Sequence, residues 1–378
     1  TKPCNMLVPL LSAIAQHKTL NGKMSQPVID WALNCGLGPL LYACTDQTCL
    51  SEAQSKQLKS SELQARFIAD DQHQALLELL DTCNHLHRPI TLLKGISIST
   101  QYYAQPHRRL MADIDILVDE QDLEQVESSL RQLGYEQTSR QQAEFYQDHH
   151  HSMPFYHAQK NIWFEVHHRL FAPRFAQADC SAFSAATLDQ EKRPGEYAGR
   201  PVYRFSAELQ LVYIAAHWAF TYSMDGEVRA MVDVINLLQA TTTELDYDKL
   251  CGWLDDDLLC SNLLALLSYL ERYQLIEIPA ALRQCSAFSR PPLSKTSLRL
   301  LHWIIDHHYV APAMQSRWLT EHNTAIIWQS LMTTWRKPVI PRLVRSVLFP
   351  PDDPQRFKLR QLLRRAGSLV RGRAGNRF

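Results

Sequence analysis

The segment Asp113-Ile114-Asp115-Ile116-Leu117-Val118 alternates acid with β-branched residue and then turns wholly apolar. Alternation of this kind specifies a strand. A period of two puts both carboxylates on one face and Ile114 and Ile116 on the other. The isoleucine face has to be covered by other elements, which leaves the acids side by side. Adjacent carboxylates repel, and burial raises the cost. A divalent cation with a preference for hard oxygen, Mg²⁺ or Mn²⁺, resolves that conflict. A second alternating run, Asn161 to His167, turns Glu165 and His167 to one face. Beside the first strand, Glu165 completes an acidic triad with Asp113 and Asp115, a set able to hold two metals about 4 Å apart.

An acid-alternating strand taken alone is as often a half-exposed strand with a solvated face. Its surroundings tip the balance. Pro89 to Leu93 is a short β-type run ending in Lys94-Gly95, after which Ile96 to Tyr103 is helical in pattern. The start of that helix suits phosphate through its N–H groups and dipole. Arg109 stands four residues before Asp113, within reach of a phosphate or a carboxylate.

The rest of the chain frames this core. Residues 1–88 read as helices, with apolar pairs at three- and four-residue spacing such as Leu76, Leu77, Leu79 and Leu80. Residues 89–205 hold the strands. Glu120 to Leu133 is an amphipathic helix stopped by Gly134, and Ser152–Tyr156 and Asn161–His167 are two strands joined by a turn. Ala172 to Arg200, with Pro173, Pro194 and Gly195, reads as loop. Residues 206–350 are helical again, and residues 351–378 form a basic tail. The expected class is α+β, a small mixed sheet between N-terminal and C-terminal helical regions.

Leu92-Leu93-Lys94-Gly95, then Arg109-x-x-x-Asp113-Ile114-Asp115-Ile116-Leu117-Val118, then Phe164-Glu165-Val166-His167 resembles the uncharacterised nucleotidyltransferase family of the polymerase-β-like superfamily. The resemblance is taken to run from residue 85 to about 350, through helices carrying His217 and Asp233. It implies Mg²⁺-dependent transfer of a nucleoside monophosphate from an NTP, with pyrophosphate released. It makes Asp113, Asp115 and Glu165 the metal ligands and catalytic carboxylates. Lys94, Gly95, Ser97 and Arg109 become the nucleotide-binding residues. Two departures stand out: Gly95 is followed by Ile96, with the hydroxyl one place late at Ser97, and His168 stands where the family has Trp. The gap from Gly95 to Asp113 is also longer than is usual, and with the late hydroxyl this shifts phosphate binding toward Lys94 or Arg109.

His149-His150-His151 and His167-His168 raise a second metal chemistry, since imidazole suits Zn, Fe or Ni. Three consecutive histidines on a strand or loop do not all face one ion. The expectation is therefore that His151 lines the cleft with His167 while the others are solvated. His217, in the apolar run Leu209 to Phe220, is either a satisfied core residue or part of a cleft wall with Arg229 and Asp233, where Asp233 pairs with His217 or Arg229. The tail from Arg356 to Phe378 has eight Lys and Arg and no acid. It reads as solvated, with docking to RNA or an acidic partner as the sharper alternative.

Composition closes off other classes. Lys+Arg and Asp+Glu are 39 each, which argues against bulk electrostatic coating of nucleic acid or membrane. Nine Cys without a CxxC pair argue against a disulfide framework and against a Cys-ligated zinc. No apolar run approaches 18 residues, so no membrane span is expected, and the expected location is cytoplasmic. The acceptor (small molecule, protein or RNA) and the choice of NTP are open. The competing readings are a catalytically silent nucleotide- or protein-binding module of the same fold and a His-rich metallohydrolase.

Overall fold

The two alternating runs meet in a sheet. Strand β1 (Thr91–Leu92) follows helices α1 (Leu7–Ala15), α2 (Gln26–Asn34), α3 (Gly38–Cys44) and α4 (Glu52–Thr82). It leads through α5 (Lys94–Tyr102) into β2 (Ile114–Leu117), α6 (Leu123–Gln132), β3 (Glu136–Gln137), β4 (Phe155–His157) and β5 (Ile162–His167). Next come α7 (Ala185–Glu191), β6 (Lys192–Tyr197) and β7 (Arg200–Phe205). The remaining helices are α8 (Ala207–Thr221), α9 (Val228–Thr241), α10 (Tyr247–Trp253), α11 (Asp257–Arg272), α12 (Ala280–Gln284), α13 (Ser286–Ser289), α14 (Lys295–Val310) and α15 (Glu321–Met332). This computed structural model describes residues 7–138, 146, 148–221, 228–310 and 321–332. Residues 333–350 of the C-terminal helical region and the basic tail 351–378 lie outside the described residues.

The seven strands form one mixed sheet in the order β3-β4-β5-β2-β1-β7-β6. β2 is parallel to β5 and antiparallel to β1, with Asp115 opposite Glu165 and Leu117 opposite His167. The fold is α+β, as expected from the sequence. Ile114, Ile116, Phe164 and Val166 point to one face, where they pack with Leu76 and Leu79 of α4 and with Val126 and Leu130 of α6. A capping box at Ser51 and Gln54 starts the 31-residue α4, satisfying two N–H groups that the first turn leaves open. Gly134, with φ of +87°, closes the turn after α6.

The opposite sheet face looks toward a second, larger core. There α8, apolar almost all round, is surrounded by α9, α11 and α15, and α1 packs on α9. Trp218 of α8 meets Trp328 of α15 edge-on at 5.0 Å.

One expectation fails. Ala172–Arg200 is not a loop, because it contains α7, two short 3₁₀ turns and β6, and β7 follows directly. Pro194 and Gly195 were read as breakers. β6 is an edge strand, where a proline forfeits no ladder bond that the sheet needs. Ser184 caps α7 by accepting from the Thr187 N–H, a start signal the sequence does contain.

Candidate active site

Three strand ends and one helix start converge on a cavity of about 420 Å³. Lys94, at the β1–α5 junction, has a φ of +40°, a left-handed value that costs a non-glycine residue about 1–3 kcal/mol. Its surroundings hold it there: Leu93 N–H donates to the Asp115 carbonyl at 3.0 Å, and β1 is paired on both sides. The Lys94 ammonium donates to Asp115 Oδ1 at 2.7 Å and lies 4.0 Å from Glu165 Oε2. Gly95 is required by crowding. A Cβ there would stand 2.7 Å from Met111 Cγ and Sδ and 2.9 Å from Arg109 Nη1. Ser97 is buried in the first turn of α5 and accepts from Gln101 Nε2 at 2.9 Å.

Asp115, Glu165 and His167 each offer a ligand atom within 4.8 Å of the others. His167 Nε2 lies 2.8 Å from Asp115 Oδ1 and 3.5 Å from Glu165 Oε2, and His151 Nε2 lies 3.7 Å from Glu165 Oε2. Asp113, in the bend before β2, lines the same cavity but stands outside that tight group. The charges sort themselves accordingly. Burial opposes ionisation of Asp115, yet Lys94 and His167 hold it well below the usual carboxylate range. Burial opposes ionisation of Glu165 too, but the His167 hydrogen bond together with the charges of Lys94 and His151 holds it below its ordinary value. Burial and Lys94 act to deprotonate His167, and its two carboxylate partners reverse that, raising it above an ordinary imidazole. Asp113 is pushed up to about 7 by burial first, then by Asp115 and Glu165.

This donor set fits a hard divalent cation. Asp115 and Glu165 stand together with an ammonium between them, and Asp113 lines the same cavity with its ionisation opposed by burial first and then by their negative charge. Asp115 and Glu165, with His167, are the residues whose ligand atoms lie close enough together to hold a cation, and Asp113 is a further carboxylate of the same cavity.

The far wall comes from α8 and α9. Tyr213, His217, Phe220, Arg229 and Asp233 all line the cavity that Asp113 and Asp115 line from below. Burial first, and then Lys94, push His217 down to about 3, so its imidazole is neutral. Asp233 pairs with Arg109, from the loop before β2. Arg109 Nε and Nη2 donate to its two oxygens at 3.2 and 2.8 Å, and the Tyr103 hydroxyl donates to Oδ1 at 2.7 Å. Arg229 Nη1 donates to the Leu110 carbonyl at 2.7 Å. The sequence suggested His217 or Arg229 as the partner of Asp233. The bidentate geometry of Arg109 across the cavity was invisible to a reading confined to neighbouring helices.

The histidine segment departs furthest from expectation. His149, His150 and His151 are none of them exposed, and one ring nitrogen from each lies within 4.8 Å of the other two. Extended geometry would have splayed them. A turn does not: His149 N–H donates to the Tyr146 carbonyl, and the His150 carbonyl accepts from the N–H groups of His168 and Arg169.

Tyr103 and Tyr213 escaped the sequence reading. Tyr103 stands just past the end of α5 in extended backbone, so the helical pattern before it does not show where its side chain goes. Nothing in the local pattern distinguishes Tyr213 from the apolar residues around it.

Comparison with known proteins gives one finding. A family model described as an uncharacterised nucleotidyltransferase matches residues 24–264. No curated protein and no solved structure matches. The match starts well ahead of residue 85, taking in α2–α4, and it ends within α11 instead of near 350.

Proposed function

Since this chain belongs to the uncharacterised nucleotidyltransferase family, we propose that it transfers a nucleoside monophosphate from an NTP to an acceptor and releases pyrophosphate. The observation that carries this reading is the pairing of Asp115 with Glu165 across parallel strands, with Lys94 between them in the lining of one cavity. In the reaction an acceptor nucleophile attacks the α-phosphorus in line, a new bond to that phosphorus forms, and the bond to the β-phosphate oxygen breaks. A Mg²⁺ or Mn²⁺ ion held by Asp113, Asp115 and Glu165 would supply charge neutralisation for the triphosphate and the departing pyrophosphate.

The chain's own groups do the rest. Lys94 brings an ammonium, held by Asp115, to the phosphates, and the first turn of α5, where Gly95 leaves room, presents N–H groups to them. Arg109, fixed by Asp233, adds a positive charge that needs no reorganisation. The wall of Tyr213, His217 and Phe220 selects the acceptor, because the carboxylate strands contain little that could recognise a second substrate.

The test is incubation with each α-labelled NTP and Mg²⁺ or Mn²⁺ beside a cell extract. Label is expected to pass to an acceptor with wild-type protein and not with Asp115→Asn. A folded wild type that binds an NTP and labels nothing with any of the four would make the protein a binding module.

A further inference from the structure

We propose that His149, His150 and His151 hold a transition-metal ion, Zn²⁺ or another divalent first-row ion that prefers imidazole, at the rim of the same cavity. One ring nitrogen from each of the three already lies within 4.8 Å of the other two, and the ring centroids are 4.2, 4.3 and 4.7 Å apart. Tetrahedral ligands at the usual zinc–nitrogen distance stand about 3.3 Å apart, so small rotations of side chains complete the set.

The surroundings of His151 match those of a metal ligand. Its Nδ1 lies 2.7 Å from the carbonyl oxygen of Ser152, an acceptor only, so Nδ1 carries the proton and Nε2 carries the lone pair. His150 contributes a buried Nδ1 with no hydrogen-bond partner among the described residues, a loss that metal coordination would relieve. The backbone is prepared as well. Ser152 N–H donates to the Val166 carbonyl and His151 bridges His167 on β5, so the turn is fastened to the sheet on the side that bears Glu165.

The chemistry separates this site from the carboxylate group. Imidazole nitrogen selects zinc-like ions, whereas carboxylate oxygen suits Mg²⁺. Three protein ligands leave one position open toward the cavity that all three residues line.

The experiment uses the full chain, stripped with chelator and titrated with Zn²⁺ or Co²⁺ alone while Mg²⁺ is held in large excess. One Zn²⁺ per chain is expected, and Co²⁺ should give the visible absorption of a tetrahedral site. The double variant His149→Ala, His150→Ala should bind Zn²⁺ at least about 100-fold more weakly, while Asp115→Asn should retain it. X-ray absorption of the Zn²⁺-loaded wild type reads the imidazole count directly and does not depend on how the variants fold. Three imidazoles support the site. No Zn²⁺ binding, fewer than three imidazoles, or binding lost in Asp115→Asn but kept in the histidine variant would each overturn it. None of these outcomes bears on nucleotide transfer, which the labelling assay reads separately.

Discussion

Asp233→Leu should destabilise the protein through Arg109, and the size follows from the contacts. The side chains are 3% and 15% exposed, the guanidinium makes two bonds to the carboxylate, and Tyr103 adds a third at 2.7 Å. Removing one partner of a buried pair costs about 3–5 kcal/mol, because the other charge keeps its desolvation penalty without its compensation. Leucine keeps the branching and heavy-atom count of aspartate but is bulkier, so the double variant described next separates the electrostatic loss from the steric one. At about 2 °C per kcal/mol for a chain of this length, the melting temperature should fall by roughly 6–10 °C. Arg109→Met combined with Asp233→Leu removes both charges and should recover at least about 2 kcal/mol relative to the sum of the single variants. Denaturant unfolding followed by tryptophan fluorescence measures all four proteins of the cycle. Strict additivity, or a drop below about 1 kcal/mol for Asp233→Leu, would show that the pair is not the tie between the β2 loop and α9.

Asp115→Asn and Glu165→Gln should each lower transfer by on the order of a thousandfold or more with unchanged circular dichroism, and near-normal turnover of either would remove it from the catalytic set. Lys94→Ala should raise the KM for NTP more than it weakens Mg²⁺ binding by calorimetry; unchanged NTP affinity and turnover would reduce Lys94 to a charge partner of Asp115. The metal-free protein should show the raised Asp113 carboxyl in its pH dependence. The fold retains a proton that the unfolded chain gives up between about pH 4 and pH 7, so this residue's stabilising contribution falls as pH rises through that window. Asp113→Asn should therefore gain on wild type from pH 4 to pH 7 in chelator, and a pH-independent difference between the two would contradict the burial of that carboxyl.

How much of this was legible beforehand depends on the range of the forces involved. Ile114–Leu117 and Ile162–His167 announce themselves by alternation, α6 by its apolar stripe and Gly134, and α5 by the change of pattern after Lys94-Gly95. The family, too, was recognisable from three short motifs. The hairpin of β6 and β7 was not legible, because Pro194 and Gly195 break a central strand and are harmless on an edge, and edge position is a property of the whole sheet.

The same division runs through the site. Side-chain direction along a strand is local, so the sequence alone determined that Asp115 turns away from Ile114 and Ile116, and Glu165 away from Phe164 and Val166. Which strand lies beside β2 is set by the cost of closing a long loop against the burial of two apolar faces on α4 and α6. Only the tertiary structure decided that Asp115 stands opposite Glu165. It also decided that Arg109 reaches across 124 residues to Asp233, and that a turn tied to β5 gathers three histidines that an extended chain would point apart.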